Sequence, residues 1–150
     1  MVDLVKMKDF LNTGPGFNRY NGLKFTVVEE GYCECVVELD ENGKNPQGVA
    51  HGSLLFALCD AVTGVATATT DHGMLTQSAS VHYLRPASGG RLTAKSKLLR
   101  SGKTTALCLA EVYDEQEHLL VTGEFEVFYT SDRLVLPEKQ ADGTWKIENS

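Results

Sequence analysis

The chain lacks a surplus of positive charge: 14 Lys and Arg stand against 20 Asp and Glu, a formal net charge of −6. A nucleic-acid or anionic-membrane surface needs clustered positive charge, so no nucleic acid and no membrane is the expected partner. A small anionic ligand held by a few local cations stays open. No leader is expected either: "MVDLVKMKDFLNTG" alternates charge with apolar residues and holds no uninterrupted apolar run, which points to a cytoplasmic protein. The one stretch long enough to raise a membrane span, 53 to 70, carries Asp60 at its middle together with several Thr and Gly, which argues against insertion. Cysteine is sparse. Cys33, Cys35, Cys59 and Cys108 have no further Cys or His cluster at ligand spacing, so no metal and no cofactor are expected. They read as reduced, buried thiols. Internal repeats and low-complexity segments are missing too.

What remains is a soluble globular composition, 42% hydrophobic and 23% charged, in a length of 150 residues that suits one domain. Apolar residues at 2 to 12 predict a short helix, which "NTGPGFNRYNG" ends. Two strands follow at 24 to 29 and 32 to 40; in the second, Cys33, Cys35, Val37 and Leu39 alternate with Glu34 and Glu38. Beyond a polar loop, the Ala- and Leu-rich stretch from about 52 to 69 predicts a helix. Four strands then follow at 75 to 85, 91 to 100, 103 to 114 and 118 to 130, separated by short breaks. Residues 1 to 130 form the expected domain, and 131 to 150 a peripheral tail in which Trp145 is placed to dock. One helix apolar over most of its circumference must be covered on most sides. The expected fold class is α+β, a long central helix wrapped by a curved antiparallel sheet of five to six strands.

Asp60 lies within that helix, where an unpaired carboxylate would be costly. On a helical wheel, Leu54, Leu55, Ala57, Leu58, Ala61 and Val62 fall within a wide apolar arc, while Asp60 shares the remainder with Phe56, Thr63, Gly64 and Thr67. Two readings are open: Asp60 reaches solvent or caps a backbone group, or it serves a ligand that approaches beside Gly64. At the helix start, unpaired N–H groups attract negative charge, and Gly52, flanked by His51 and Ser53, admits a close ligand. Gly52 and Asp60 are eight residues apart, about 12 Å along the axis at 1.5 Å per residue. One chain cannot bring both to one carbonyl, so a site that uses both needs two copies.

The stretch "NPQGVAHGSLLFALCDAVTG" resembles the signature of hotdog-fold acyl-CoA thioesterases of the PaaI-like and thioesterase superfamily member 2-like type. Asn45, Gly48, His51-Gly52 and Asp60 stand at the family's spacing, and "YLRPA" and "SGK" match further along. The resemblance implies hydrolysis of an acyl-CoA thioester in a homodimer with shared active sites, itself paired into a dimer of dimers. It implies Asp60 as general base or nucleophile, the Gly52 amide as oxyanion donor, and Asn45 positioning the carbonyl or water. His51 would support the helix start, and Thr76 would orient water beside the carboxylate. Ser53 stands where the family carries a second glycine, and is placed to shape the acyl pocket. Arg85, Arg100 and Lys103 are candidates for the CoA phosphates. Phe56 and Gly64 suit an aryl or medium-chain acyl group. The alternatives are a non-catalytic acyl-CoA sensor on the same fold and a hotdog dehydratase.

Overall fold

The computed structural model describes residues 1–147. Its helices are α1 (Leu4–Thr13), α2 (Phe17–Tyr20) and α3 (Gly52–Ala68). The long strands are β1 (Lys24–Glu29), β2 (Tyr32–Glu38), β3 (Gly73–Tyr83), β4 (Arg91–Ser101), β5 (Thr105–Tyr113) and β6 (Leu119–Ser131). All six join one antiparallel sheet in the order β1-β2-β4-β5-β6-β3. The sheet wraps α3, which touches each of these six strands. Element bounds differ from the sequence expectation by a residue or two, and α1 starts late because the Asp3 carboxylate caps it through the Lys6 N–H. The four-residue α2, hidden between Gly and Asn, was not expected.

Period-two patterning turns one face of the sheet onto α3. Cys33, Cys35 and Val37 of β2, Ala106, Cys108, Ala110 and Val112 of β5, and Phe125 of β6 are all buried. Burial pushes the Cys35 and Cys59 thiols up to about 12, so both stay protonated at neutral pH.

The two edges of the sheet differ. At β1, Asn12 of α1 donates its side-chain amide to the Phe25 carbonyl at 3.0 Å and accepts from the Phe25 N–H at 2.8 Å. At the other edge, β3 is eleven residues long and largely exposed, Leu75 and Tyr83 included.

After β6 the chain returns to α1. A two-residue pairing of β7 (Glu138–Lys139) with β8 (Trp145–Lys146) brings Trp145 edge-on to Phe10, with ring centroids 5.1 Å apart. The Trp145 indole N–H donates to the Thr13 hydroxyl at 3.0 Å. The docking expected of Trp145 is therefore present, and the last three positions of the expected tail lie outside the described residues. No helix among the described residues is long and apolar enough to cross a membrane.

Candidate active site

The loop before α3 is built by Asn45. Its side-chain oxygen accepts from the Gln47 N–H at 2.9 Å and the Val49 N–H at 3.3 Å, while its own N–H donates to the Val49 carbonyl at 2.8 Å. Gly48 follows at φ +78°, a conformation that favours glycine. The Ala50 N–H then bonds the Ala87 carbonyl and the His51 N–H the Gly43 carbonyl, which pins the loop against the rest of the chain.

That anchoring delivers His51 as the N-cap of α3. Its Nδ1 accepts from the Ser53 N–H at 3.1 Å and lies 2.6 Å from the Ser53 hydroxyl. Because Nδ1 accepts from the Ser53 N–H, a neutral His51 ring carries its proton on Nε2. Gly52 is the first helical residue, so its N–H has no intrahelical partner, and no backbone partner outside the helix is present among the described residues. The Tyr83 hydroxyl donates to the Gly52 carbonyl at 3.1 Å. A Cβ on Gly52 would stand 3.6 Å from the Tyr83 ring, an ordinary contact. Nothing in the chain's own packing demands glycine there.

Eight residues on, Asp60 is half-buried. The Thr76 hydroxyl donates to its Oδ1 at 2.7 Å. Thr76 stands beside a register shift in β3, between Thr76 and Ser78, and such bulges re-aim neighbouring side chains. The carboxylate and this hydroxyl stand in the wall of a cavity of about 780 Å³. Phe56, Ala57, Ala61 and Gly64 line it from α3; Phe56 also packs on Phe125, with centroids 5.5 Å apart. Across from them stand Met7, Phe10 and Leu11 of α1, which sequence reasoning did not connect to the site. A Cβ on Gly64 would lie 2.6 Å from the Met74 terminal methyl, so the glycine lets that side chain lie against the helix one turn past Asp60.

The helical-wheel expectation needs correcting around Asp60. Thr63 and Thr67 do not share its open face. Both are fully buried beneath the sheet, 3.4 Å from the Ser96 hydroxyl and 3.3 Å from the Cys108 sulfur respectively. Ala57 and Ala61, placed in the covered arc, line the cavity instead.

The structure thus brings Asp60, Thr76, Phe56 and Gly64 together, and separately gathers His51, Gly52 and Ser53 at the helix start. Asn45 bonds within its loop. The three candidate cations are exposed and do not converge: the Arg85 N–H bonds Leu120 near the start of β6, whereas Arg100 pairs with Leu107 and Lys103 lies in the turn before Thr105, which pairs with Phe128. Leu120 and Phe128 are about 27 Å apart along the strand at 3.4 Å per residue. No cluster of three or more His, Cys, Asp or Glu with metal-holding geometry occurs among the described residues.

A family model described as thioesterase superfamily matches residues 47–121, the span that carries α3 and strands β3 to β5. The medium/long-chain acyl-CoA thioesterase YigI of Salmonella typhimurium is 27% identical over 119 residues, covering 67% of this chain and 77% of that protein. Among solved structures, the Escherichia coli PaaI protein from the phenylacetic acid degradation operon superposes with a TM-score of 0.79 at 19% identity, covering 89% of this chain and all of that one. The Streptococcus mutans protein smu.793, solved with acetyl CoA, reaches a TM-score of 0.72 at 25% identity over 75% of this chain and 91% of its own. The shared architecture is the hotdog fold.

Proposed function

The chain belongs to the thioesterase superfamily, and on that premise we propose that it hydrolyses acyl-CoA to the free acid and CoA. The observation that carries the reading is the Asp60 carboxylate, held by the Thr76 hydroxyl at the wall of an apolar cavity. A thioester is activated enough for one carboxylate and one oriented donor to suffice. With Oδ1 engaged by Thr76, Oδ2 is free to take a proton from water, or to attack the carbonyl itself. In the first case the water oxygen bonds the carbonyl carbon as the C–S bond breaks, and the proton passes to the departing CoA sulfur. In the second CoA leaves as the thiolate, and water then cleaves the acyl–Asp60 anhydride, releasing the acid and one proton and restoring the carboxylate.

The negative charge that develops on the carbonyl oxygen needs a donor, and the Gly52 N–H at the positive end of α3 is a suitable one. It cannot serve the Asp60 of its own chain, because α3 is one continuous helix and the two residues are about 12 Å apart along it. The reading therefore pairs Asp60 of one copy with Gly52 of a second, in a two-fold dimer. The exposed edge of β3 supports this: a long unpaired strand offers its backbone groups to another copy. Solution scattering or sedimentation is expected to give a mass of two chains or an even multiple. A monomer with full turnover would overturn the shared site.

Within this scheme His51 and Asn45 hold the loop and helix start, and Ser53 borders the donor. Arg100 and Lys103 at one end of the sheet, and Arg85 at the other, are separate candidates for the CoA phosphates. One chain does not place all three on the same phosphate.

The role of Thr76 is testable by itself. Thr76→Val is expected to lower kcat about 10- to 100-fold, the worth of a hydrogen bond to a charged group, whereas Thr76→Ser keeps most of it. Steady-state thiol release from a panel of acyl-CoAs reads both. Equal loss in the Ser variant would show that the hydroxyl is not what Asp60 uses.

A further inference from the structure

We infer that α1 and the segment after β6 form the end wall of the acyl site, and that the site takes an unbranched hydrocarbon acyl chain of roughly eight to ten carbons. This rests on the acyl-CoA reading of Asp60.

From Asp60 toward the C-terminal end of α3, the helix presents Ala61, Gly64, Val65 and Ala68 to the cavity, an apolar floor with three small residues. Asp60 and Ala68 are two turns apart, about 12 Å at 1.5 Å per residue. An extended chain of carbon–carbon bonds of about 1.5 Å advances roughly 1.25 Å per bond, so some eight to ten carbons match that length of helix, passing beside the Met74 methyl that rests on Gly64. Apolar groups cover it: Met74 lies over Gly64 on the β3 side, and Met7 and Leu11 face it from α1. Apart from Asp60 and Thr76, Asn18 is the only polar residue in the lining among the described residues.

Leu134 and Leu136, from the segment after β6, complete the lining. The Leu134 N–H donates to the Asp71 carbonyl at 2.8 Å, just past the end of α3, which fixes this segment across the helix terminus. The Met1 amino group pairs with the Asp71 carboxylate at 3.1 Å, which brings the start of α1 to the same place. The wall is fastened at several further points. Lys6 pairs with Glu138 at 2.5 Å and Lys139 with Asp9 at 2.7 Å, besides the contact of Trp145 with Phe10 and Thr13. None of these fastening residues but Asp71 lies within residues 47–121, the span shared with the family model. The end wall is therefore fastened mostly from outside the span that carries Asp60 and Thr76, while the floor lies within it.

The test is a chain-length profile, from four to sixteen carbons plus benzoyl-CoA, read twice. Hydrolysis is followed by thiol release, and binding by the thermal shift that each acyl-CoA gives the Asp60→Asn protein. Ala68→Leu fills the floor and is expected to lower kcat/KM for the ten-carbon chain against the four-carbon chain at least tenfold. Leu136→Ala, at a half-buried position that an alanine leaves foldable, is expected to move the optimum to longer chains. The same two changes in the Asp60→Asn background are expected to move the binding profile in step. Profiles that neither variant moves, or a preference for benzoyl-CoA over eight to ten carbons, would overturn the end wall. If wild-type protein hydrolyses no chain while binding keeps its optimum and follows the variants, the wall stands and the hydrolase reading falls.

Discussion

Asp60→Asn is expected to lower acyl-CoA hydrolysis by roughly 10²- to 10⁴-fold, the range that a positioned general base supplies, with fold and assembly intact. The amide matches the carboxylate in shape and still accepts the Thr76 hydroxyl, so what it loses is the charge and the ability to take a proton. Asp60 makes no ion pair among the described residues, and its side chain borders an open cavity rather than the packed core. Its replacement thus has little structural cost. Thiol release gives the rate, and the melting temperature reports on the fold. Undiminished turnover in a folded Asp60→Asn protein would remove Asp60 from the mechanism. Binding of acyl-CoA without thiol release by the wild-type protein would instead identify a sensor. A single turnover in ¹⁸O-water probes the role: label on Asp60 identifies a nucleophile whose anhydride water opens at the aspartyl carbonyl, which a general base never gives.

A mixture of two inactive proteins is expected to regain about a quarter of wild-type activity, as two-fold symmetry requires of sites shared between copies. The partners are Asp60→Asn and Gly52→Pro. Proline removes the N–H proposed to face the carbonyl oxygen, and it is well tolerated at the first position of a helix. His51, with φ −66° and ψ 136°, already has the extended backbone that a following proline requires. Gly52→Pro alone should lose roughly 10²- to 10³-fold, as loss of one oxyanion donor does. In a randomly assorted mixture half of the dimers are hybrid, and each hybrid carries one doubly damaged site and one intact site. Activity that stays at the level of the two parents after co-refolding would show that Gly52 and Asp60 do not serve one site across the interface.

The reach of sequence reasoning differed between the fold and the site. The strands were legible because one face packs on α3 and the other meets water, so Cys33, Cys35 and Val37 alternate visibly with polar neighbours. The bounds of α3 and the dockable Trp145 were legible for similar reasons. Which face of α3 opens outward was not. Alanine counts as apolar on a wheel, so Ala57 and Ala61 were assigned to the covered side, while the hydroxyls of Thr63 and Thr67 suggested exposure. In the fold those hydroxyls find Ser96 and Cys108 under the sheet, and a paired hydroxyl is cheap to bury. The separation of Arg85 from Arg100 and Lys103 depends on strand direction, which residue types alone do not carry. The cavity wall escaped for a further reason: Met7 and Leu136 are distant in sequence and ordinary in composition, and only the return of the chain past β6 makes them neighbours.

The clasp of Asn12 on Phe25 has a consequence for how copies can add to one another. A sheet with two bare edges can be extended at both, and each added copy offers a fresh edge, so growth runs on into a fibre. Here one edge has its donor and acceptor at Phe25 already satisfied from within the chain, whereas β3 has no such clasp among the described residues. When two bare edges meet, none is left over. In the proposed dimer the pairing would therefore end itself at two chains, and the side chain that steadies β1 would also make that edge a poorer template for further copies.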